Sequence, residues 1–318
     1  MKICLVGPGY KPIPPTGWGA VESVVWDYYV NLKKKNIDVT IINNKNLKEV
    51  IYEINNNNYT IVHIMYDDHI TMVPFLKLDI KIFYTSHYAY ITQEGFETKQ
   101  QHYFRNIFLK AIENRERINI NAISEEIRKK YIQYGFPENK INVIQNGARD
   151  DVFEFKEKGL KSDKSIYLAK IEKRKRQYVY QNINGIDFVG NYHDSPFNKE
   201  NSNYLGEWDK DKLYKNLSDY GNLILLSDGE ADPLVVKEAL LCGLGVVISE
   251  CSAANLDEKD FITVIPNTKL NDIEYVRREI IKNRLISIKN REVIRNYGME
   301  KFSWNNIINK YISIINNN

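Results

Sequence analysis

Five of the seven residues from Lys170 to Arg176 are basic, and the run follows directly on the apolar segment Ser165–Ala169. A cationic loop at the carboxyl end of a strand is placed to meet phosphates, because fixed positive charge stabilises an anion without reorganising. A solvated charged loop has the same composition, so position is what favours the anion. Downstream, Glu230 lies in a loop before the helical run Pro233–Cys242, and Glu238 lies inside that run, spaced to face back toward the loop. Carboxylates beside a phosphate site accept hydrogen bonds from paired sugar hydroxyls; alone, two glutamates eight apart are unremarkable. Gly7-Pro-Gly9 through Pro14-Pro15-Thr-Gly17-Trp-Gly19-Ala-Val-Glu22 joins the first strand to the first helix. Glycines there let backbone approach a ligand, and a helix N-terminus offers free N–H groups to an anion. The loop is too long for a dinucleotide fingerprint and lacks its third glycine; an ordinary Pro/Gly-rich surface loop describes the same residues. His63 ends an apolar strand and His87 follows one. A strand-end histidine is more often a hydrogen-bonded scaffold group than a catalyst, and Thr-Ser-His87 leaving its strand favours His87. Asp67-Asp68 and Asp150-Asp151 are adjacent acid pairs, but nothing marks either as a metal clamp, and no metal site is expected.

The elements that must hold these residues alternate strand and helix. Strands are predicted at Lys2–Val6, Ile37–Ile42, Tyr59–Ile64, Ile80–Thr85, Asn119–Ile123 and Ile141–Ile144, with helices over Gly19–Lys35 and Glu125–Tyr134. Val21, Val24, Val25, Tyr28 and Leu32 share one face of the first helix. Nearly continuous apolar strands in this alternation mean a parallel sheet covered on both faces. Asp150–Lys164 is polar, aperiodic and reads as an interdomain linker; the Asn55–Asn58 run reads as a loop. A second series follows with Ser165–Ala169, Ile186–Gly190, Asn222–Leu226, helix Pro233–Cys242, Gly245–Ser249 and Ile262–Ile265. Pro233 suits the first turn of its helix. Trp304–Ile315 is a terminal amphipathic helix. The fold class is α/β, with two doubly wound domains, and ligands of such domains bind where βα loops gather at the strands' carboxyl ends. Two such domains facing each other would make a cleft, a common ligand site.

Composition agrees. The 318 residues suggest two domains at about 150 each. A hydrophobic share of 43% and a charged share of 27% exclude disorder and disulfide scaffolds. Lys plus Arg is 44 against 41 for Asp plus Glu, and a net charge of +3 gives no strong nucleic-acid signal. Cys4, Cys242 and Cys251 lack metal spacing and read as core thiols of a reducing compartment. No apolar stretch approaches the ~20 residues of a membrane span, and the start has no signal-peptide character, so a cytoplasmic location is expected. Helix 99–117, with Phe104, Ile107, Phe108, Ala111 and Ile112 beside Arg105 and Lys110, reads as core-packing or as a basic amphipath for peripheral membrane contact; the strand pattern needs its cover.

Taken in order, these features resemble a retaining glycosyltransferase of the GT-B fold, of glycosyltransferase family 4, over almost the whole chain. Pro14-Pro15-Thr-Gly17-Trp-Gly19-Ala-Val-Glu22 resembles the family's glycine loop. Ala122-Ile-Ser-Glu125 and Lys140-Ile-Asn-Val-Ile-Gln-Asn146-Gly147 resemble the end of its first domain. Leu168-Ala-Lys170-Ile followed by Lys175 resembles its diphosphate loop, and Glu230 to Glu238 its Glu-x7-Glu signature. Phe302-Ser-Trp304 resembles the opening of a terminal helix that crosses back to the first domain. Lys170 stands where Arg is usual and Arg176 where Gly is usual. Ala20 replaces a glycine, Ala231-Asp232-Pro233 replaces Phe-Gly, and Gly245 replaces Pro.

The resemblance implies an N-terminal Rossmann-like acceptor-side domain over 1–155, a nucleotide-sugar domain over 156–298 and a terminal helix over 299–318. It implies sugar transfer with retained configuration from a nucleotide-diphosphate sugar, UDP in preference to GDP, to a glycan, lipid-linked or other acceptor. No cofactor beyond the donor is implied. Lys170 and Lys175 would hold the diphosphate, with Gly17 and Gly19 approaching it; Glu238 would hold the ribose and Glu230 the donor sugar, with His87 beside the sugar. A 2-epimerase of the same fold, or a non-catalytic nucleotide-sugar or glycan binding module, are the alternatives.

Overall fold

The computed structural model describes residues 1–92 and 102–317. They form two compact units, one of Met1–Asn146 with Ile307–Asn318 and one of Gly147–Asn306. The first runs β1 (Lys2–Val6), α1 (Ala20–Lys34), β2 (Asp38–Ile42), α2 (Leu47–Asn56), β3 (Ile61–Ile64), β4 (Lys81–Tyr84), α3 (His102–Glu113), β5 (Ile118–Ala122), α4 (Glu125–Gln133) and β6 (Ile141–Val143). Its strands pair in parallel in the order β2-β1-β3-β4-β5-β6. Ile3 to Val6 of β1 are fully buried, as a central strand covered on both faces requires. Val24, Val25, Tyr28 and Leu32 turn one face of α1 into that core.

The asparagine run does not begin as a loop. Asn55 and Asn56 finish α2, whose Val50 and Ile54 face inward. The side-chain amides of Asn56 and Asn57 donate to the carbonyls of Tyr52 and Glu53, each at 2.8 Å, and the second of these satisfies a carbonyl that the helix end leaves open. Residues 99–101 of the amphipathic segment lie outside the described residues. In α3, Ile107, Phe108 and Ala111 are buried, and Phe108 packs on Tyr131 with ring centroids 4.9 Å apart. The apolar face of this helix therefore serves the core.

The second unit continues with β7 (Lys161–Leu168), β8 (Ile171–Glu172), α5 (Gln177–Tyr180), β9 (Ile186–Val189), β10 (Tyr192–Asp194), α6 (Lys210–Asn216), β11 (Tyr220–Leu225), α7 (Leu234–Leu241), β12 (Gly245–Ser249), β13 (Ile262–Ile265), α8 (Ile273–Lys289) and α9 (Arg291–Phe302), and α10 (Trp304–Asn317) closes the chain. Its main sheet is parallel in the order β13-β12-β11-β7-β9, and β8 and β10 form a small parallel pair. β7 starts inside the stretch whose polarity suggested a linker. Its charges are tolerated because the ammonium groups of Lys161 and Lys164 reach the buried Asp187 at 3.3 and 2.9 Å. Gly159, in the same stretch, passes so near the lead into β11 that a Cβ would sit 2.2 Å from the Asp219 carbonyl oxygen.

Both sheets share one topological feature. β1 lies between β2 and β3, and β7 between β9 and β11, so the chain leaves its first strand in one direction and returns on the other side. Ligands of doubly wound sheets bind at the carboxyl ends of the two strands flanking that reversal. α10 adds Ile307, Ile308, Tyr311 and Ile315 to the buried set. Tyr311 stacks on His63 at 5.4 Å and meets Tyr28 edge-on at 5.1 Å. Among the described residues no helix is long and apolar enough to cross a membrane.

Candidate active site

The loops that follow β7 and β11 meet at the reversal of the second sheet. Backbone bonds clamp them: the Asp228 N–H donates to the Arg174 carbonyl at 2.9 Å. The Tyr167 hydroxyl accepts from the Leu226 N–H at 2.8 Å and donates to the Lys175 carbonyl at 2.6 Å. Side chains then interleave by charge. Lys170 Nζ lies 3.3 Å from Glu172 Oε2, and Arg174 Nη2 lies 2.8 Å from Glu172 Oε1. Arg174 Nη1 is 3.6 Å from Glu230 Oε1, and Lys175 Nζ pairs with that same oxygen. Lys170, Lys175 and Glu230, far apart in sequence, thus belong to one cluster of three cations and two carboxylates. Lys175 and Glu230 are only 13% and 10% exposed, so water screens their attraction weakly. Burial alone would raise the Glu172 carboxyl, but Arg174 and Lys170 outweigh it and hold it below the usual carboxylate range. Glu172 is hard to single out in the sequence, since one acid inside a basic run looks like dilution of charge.

Arg176 is not a free basic group in this cluster. Its backbone adopts φ 55°, a left-handed conformation that glycine takes without cost. Its guanidinium donates to Asp228 at 3.0 Å and to Asn271 at 2.5 Å, so it anchors the loop.

Glu238 lies on α7, half-buried, and its carboxylate makes no hydrogen bond or ion pair among the described residues. Burial pushes its carboxyl up, opposed only by the charge of Lys210. Its neighbour Lys237 turns the other way and pairs with Asp232, both side chains being almost fully buried. Asp232 also accepts from the Asn255 amide at 2.9 Å, and the Lys237 ammonium lies 5.3 Å from the centre of the Phe302 ring. Asp232 and Lys237 therefore fix the loop that carries Glu230 to the helix that carries Glu238. Burial lowers the Lys237 ammonium's pKa and Asp232 counters it.

The remaining sequence-selected residues, apart from Asp150 and Asp151, lie in the first unit. Gly17 is half-buried in the loop after β1, and Gly19 caps α1. A Cβ at Gly19 would stand 3.0 Å from the Glu22 carboxylate and 3.1 Å from Pro15, so glycine is what lets the loop close on the helix N-terminus. The Asn43 side chain pins this loop, accepting from Gly9 N–H and donating to the Lys11 carbonyl, both at 2.8 Å. His87 follows β4 with a buried Nε2 that has no partner, and burial lowers its pKa to about 4, leaving a neutral imidazole at physiological pH. His63 is a scaffold residue: it is fully buried, with Nε2 2.8 Å from the Thr85 hydroxyl. Asp67 accepts from the Tyr84 and Tyr90 hydroxyls, and Asp151 pairs with Arg149. Among the described residues no group of three or more His, Cys, Asp or Glu is arranged to hold a metal.

Comparison with known proteins agrees with this architecture. Residues 24–152 match the model of Glycosyltransferase Family 4. Over those residues the chain is similar to that family, and the chain as a whole has the GT-B fold. Sucrose-phosphate synthase of Thermosynechococcus elongatus superposes with a TM-score of 0.78 at 13% identity, covering 100% of this chain and 98% of that one. HepE of Anabaena, solved with UDP and glucose, superposes with a TM-score of 0.75 at 13% identity, covering 99% of each chain. The lipopolysaccharide outer core galactosyltransferase WaaB superposes at 0.66 and 14% identity, covering 98% of this chain and 99% of that one. No curated protein sequence matches the chain.

Proposed function

We propose that this protein is a family 4 glycosyltransferase that transfers a sugar from a UDP-sugar to an acceptor hydroxyl, with retained anomeric configuration and without a metal. The observation that carries the reading is the cluster at the reversal of the second sheet, where Lys170, Arg174 and Lys175 converge on Glu172 and Glu230. Cleavage of the donor's C1–O bond leaves negative charge on the diphosphate. Lys170 and Lys175 are fixed positive charges in a shielded site, and they stabilise that charge as it grows. The Lys175–Glu230 pair would open on donor binding: the lysine takes the phosphate and the glutamate takes hydroxyls of the sugar. Glu238, without a partner, is free for the ribose diol.

HepE, a fold relative, has been solved with UDP-glucose, which supports UDP as the donor nucleotide here. Retention, and attack of the acceptor from the leaving-group face with the departing phosphate taking its proton, follow from the family resemblance, as do the parts of Gly17, Gly19 and His87. A neutral imidazole at His87 suits a hydrogen-bonding part better than a charged one. Three free cysteines, two of them buried, support a reducing, cytoplasmic setting.

The test is release of UDP from UDP-glucose over time, with and without EDTA. Turnover that survives chelation is expected. Turnover that vanishes and returns with Mn²⁺ would place a metal where the lysines are placed here. UDP binding without any turnover across a donor panel would leave a binding module.

A further inference from the structure

α8 is held by its inner face and presents an unusual outer one. Val276, Ile280, Asn283 and Ser287 are buried, and the Asn283 amide donates to the carbonyls of Val246 and Phe261 at 3.1 and 3.0 Å, which fixes the helix's rotation. The outer face carries Ile281, Leu285 and Ile288, exposed by 38%, 56% and 37%. At about 100° per residue these three fall within an arc of about 60°. Arg277 borders the arc on one side; Arg278, Lys289 and Lys282 border it on the other, and all four are exposed. Two acids lie near. Glu274 meets Arg277 at 3.1 Å in the first turn, and Glu279, beside Arg278 at 3.5 Å, points to the far side of the helix and is mostly shielded. Lys282 and Lys289 have no carboxylate partner among the described residues.

We propose that this face of α8 docks the protein on an anionic lipid bilayer. Ile281, Leu285 and Ile288 enter the boundary of headgroups and acyl chains, and the flanking cations meet lipid phosphates, the arrangement by which an amphipathic helix lies in a membrane interface. Charge decides the occupant. Glu274 lies on the same arc and is already met by Arg277, so each face carries four cations against one exposed acid; in a two-fold pair of copies the same patch faces itself, which would bring this net positive charge against itself. The proposal concerns a surface outside the donor site and stands or falls separately from the transferase reading.

The full chain is to be sedimented with vesicles of phosphatidylcholine alone and of phosphatidylcholine with roughly a third phosphatidylglycerol. Binding only to the anionic vesicles is expected, weakening as salt is raised, since screening shortens the reach of the cations. At about fivefold per cation near an anionic surface, Lys282→Ala with Lys289→Ala should lower partitioning roughly 25-fold. Leu285→Gln should lower it further, with UDP binding and the melting temperature unchanged in both variants. Equal binding to neutral vesicles, absence of binding by the unaltered chain, or unchanged binding by the variants would overturn the proposal. So would a dimer in light scattering that Leu285→Gln dissolves, because the occupant would then be a second copy.

Discussion

In the proposed mechanism the Lys175–Glu230 pair must open before either side chain can meet a donor. Lys175→Ala should therefore act on both steps but mostly on rate, because its partner's charge grows toward the transition state. Loss of one electrostatic donor costs about 10²–10³ in kcat, read from steady-state UDP release; an unchanged kcat would remove Lys175 from the mechanism. Glu238 predicts a different signature. Its carboxylate is desolvated and unpaired, so Glu238→Gln should weaken UDP in calorimetry, as a charge-assisted bond becomes a neutral one, yet leave the melting temperature equal or higher. A residue that only packed its helix would show the reverse. Asp67 gives a pH test. Burial pushes its carboxyl up to about 6 against 3.8 in the unfolded chain, despite the hydroxyls of Tyr90, Ser86 and Tyr84. The folded state thus binds the proton more tightly. Stability should be greatest below about pH 4 as far as this group is concerned, and fall as pH rises toward 6. Asp67→Asn should flatten that part of the stability profile; an unchanged profile would refute the assignment. Lys170 was legible in the sequence through its place after a strand, and Glu230 through its place in the loop before a helix. Their pairing was not, because which two loops touch depends on strand order.

At the scale of elements, the strands were legible because a covered parallel sheet demands unbroken apolar runs, and Lys2–Val6 is one. α2, α6 and the start of β7 were not. Their apolar residues are few, and the polar ones satisfy themselves locally, as Asn56 and Asn57 do at the end of α2 and Lys161 and Lys164 do on Asp187. The buried Asp232–Lys237 pair was equally hidden, since Asp232 stood out only as a departure from the family motif and nothing marked Lys237. Removing one partner leaves the other charged and buried, so Lys237→Met should cost about 3–5 kcal/mol in denaturant unfolding. Asp232→Leu together with Lys237→Met should recover most of it, and a double variant no better than the single would show that the pair is not the source. α10 makes a similar claim. Tyr311 is fully buried against His63 and Tyr28, so Tyr311→Ala should destabilise by about 3–5 kcal/mol; a shift in unfolding midpoint near zero would contradict its place in the core.

At the scale of the molecule, each sheet reverses beside its first strand, and Lys170, Lys175 and Glu230, picked from the sequence, gather at the reversal of the second sheet. Similarity over residues 24–152 and likeness of fold give the architecture; the cluster of Lys170, Arg174, Lys175, Glu172 and Glu230 supports the proposed reading of what it holds. The departures from the family pattern sort by the same geometry. Arg176 and Asp232 sit in anchoring contacts, with Asn271 and Asp228 in one case and Lys237 and Asn255 in the other, so they hold the loops and stand outside the ion pairs of Lys170 and Lys175. The most direct measurement is a calorimetric titration of UDP into the chain in EDTA, beside Lys175→Ala and Glu238→Gln. One UDP per chain, bound without metal and weakened in both variants, is the predicted result. A titration with no heat, a requirement for a divalent ion, or equal affinity in all three proteins would contradict a nucleotide-sugar site built on these residues.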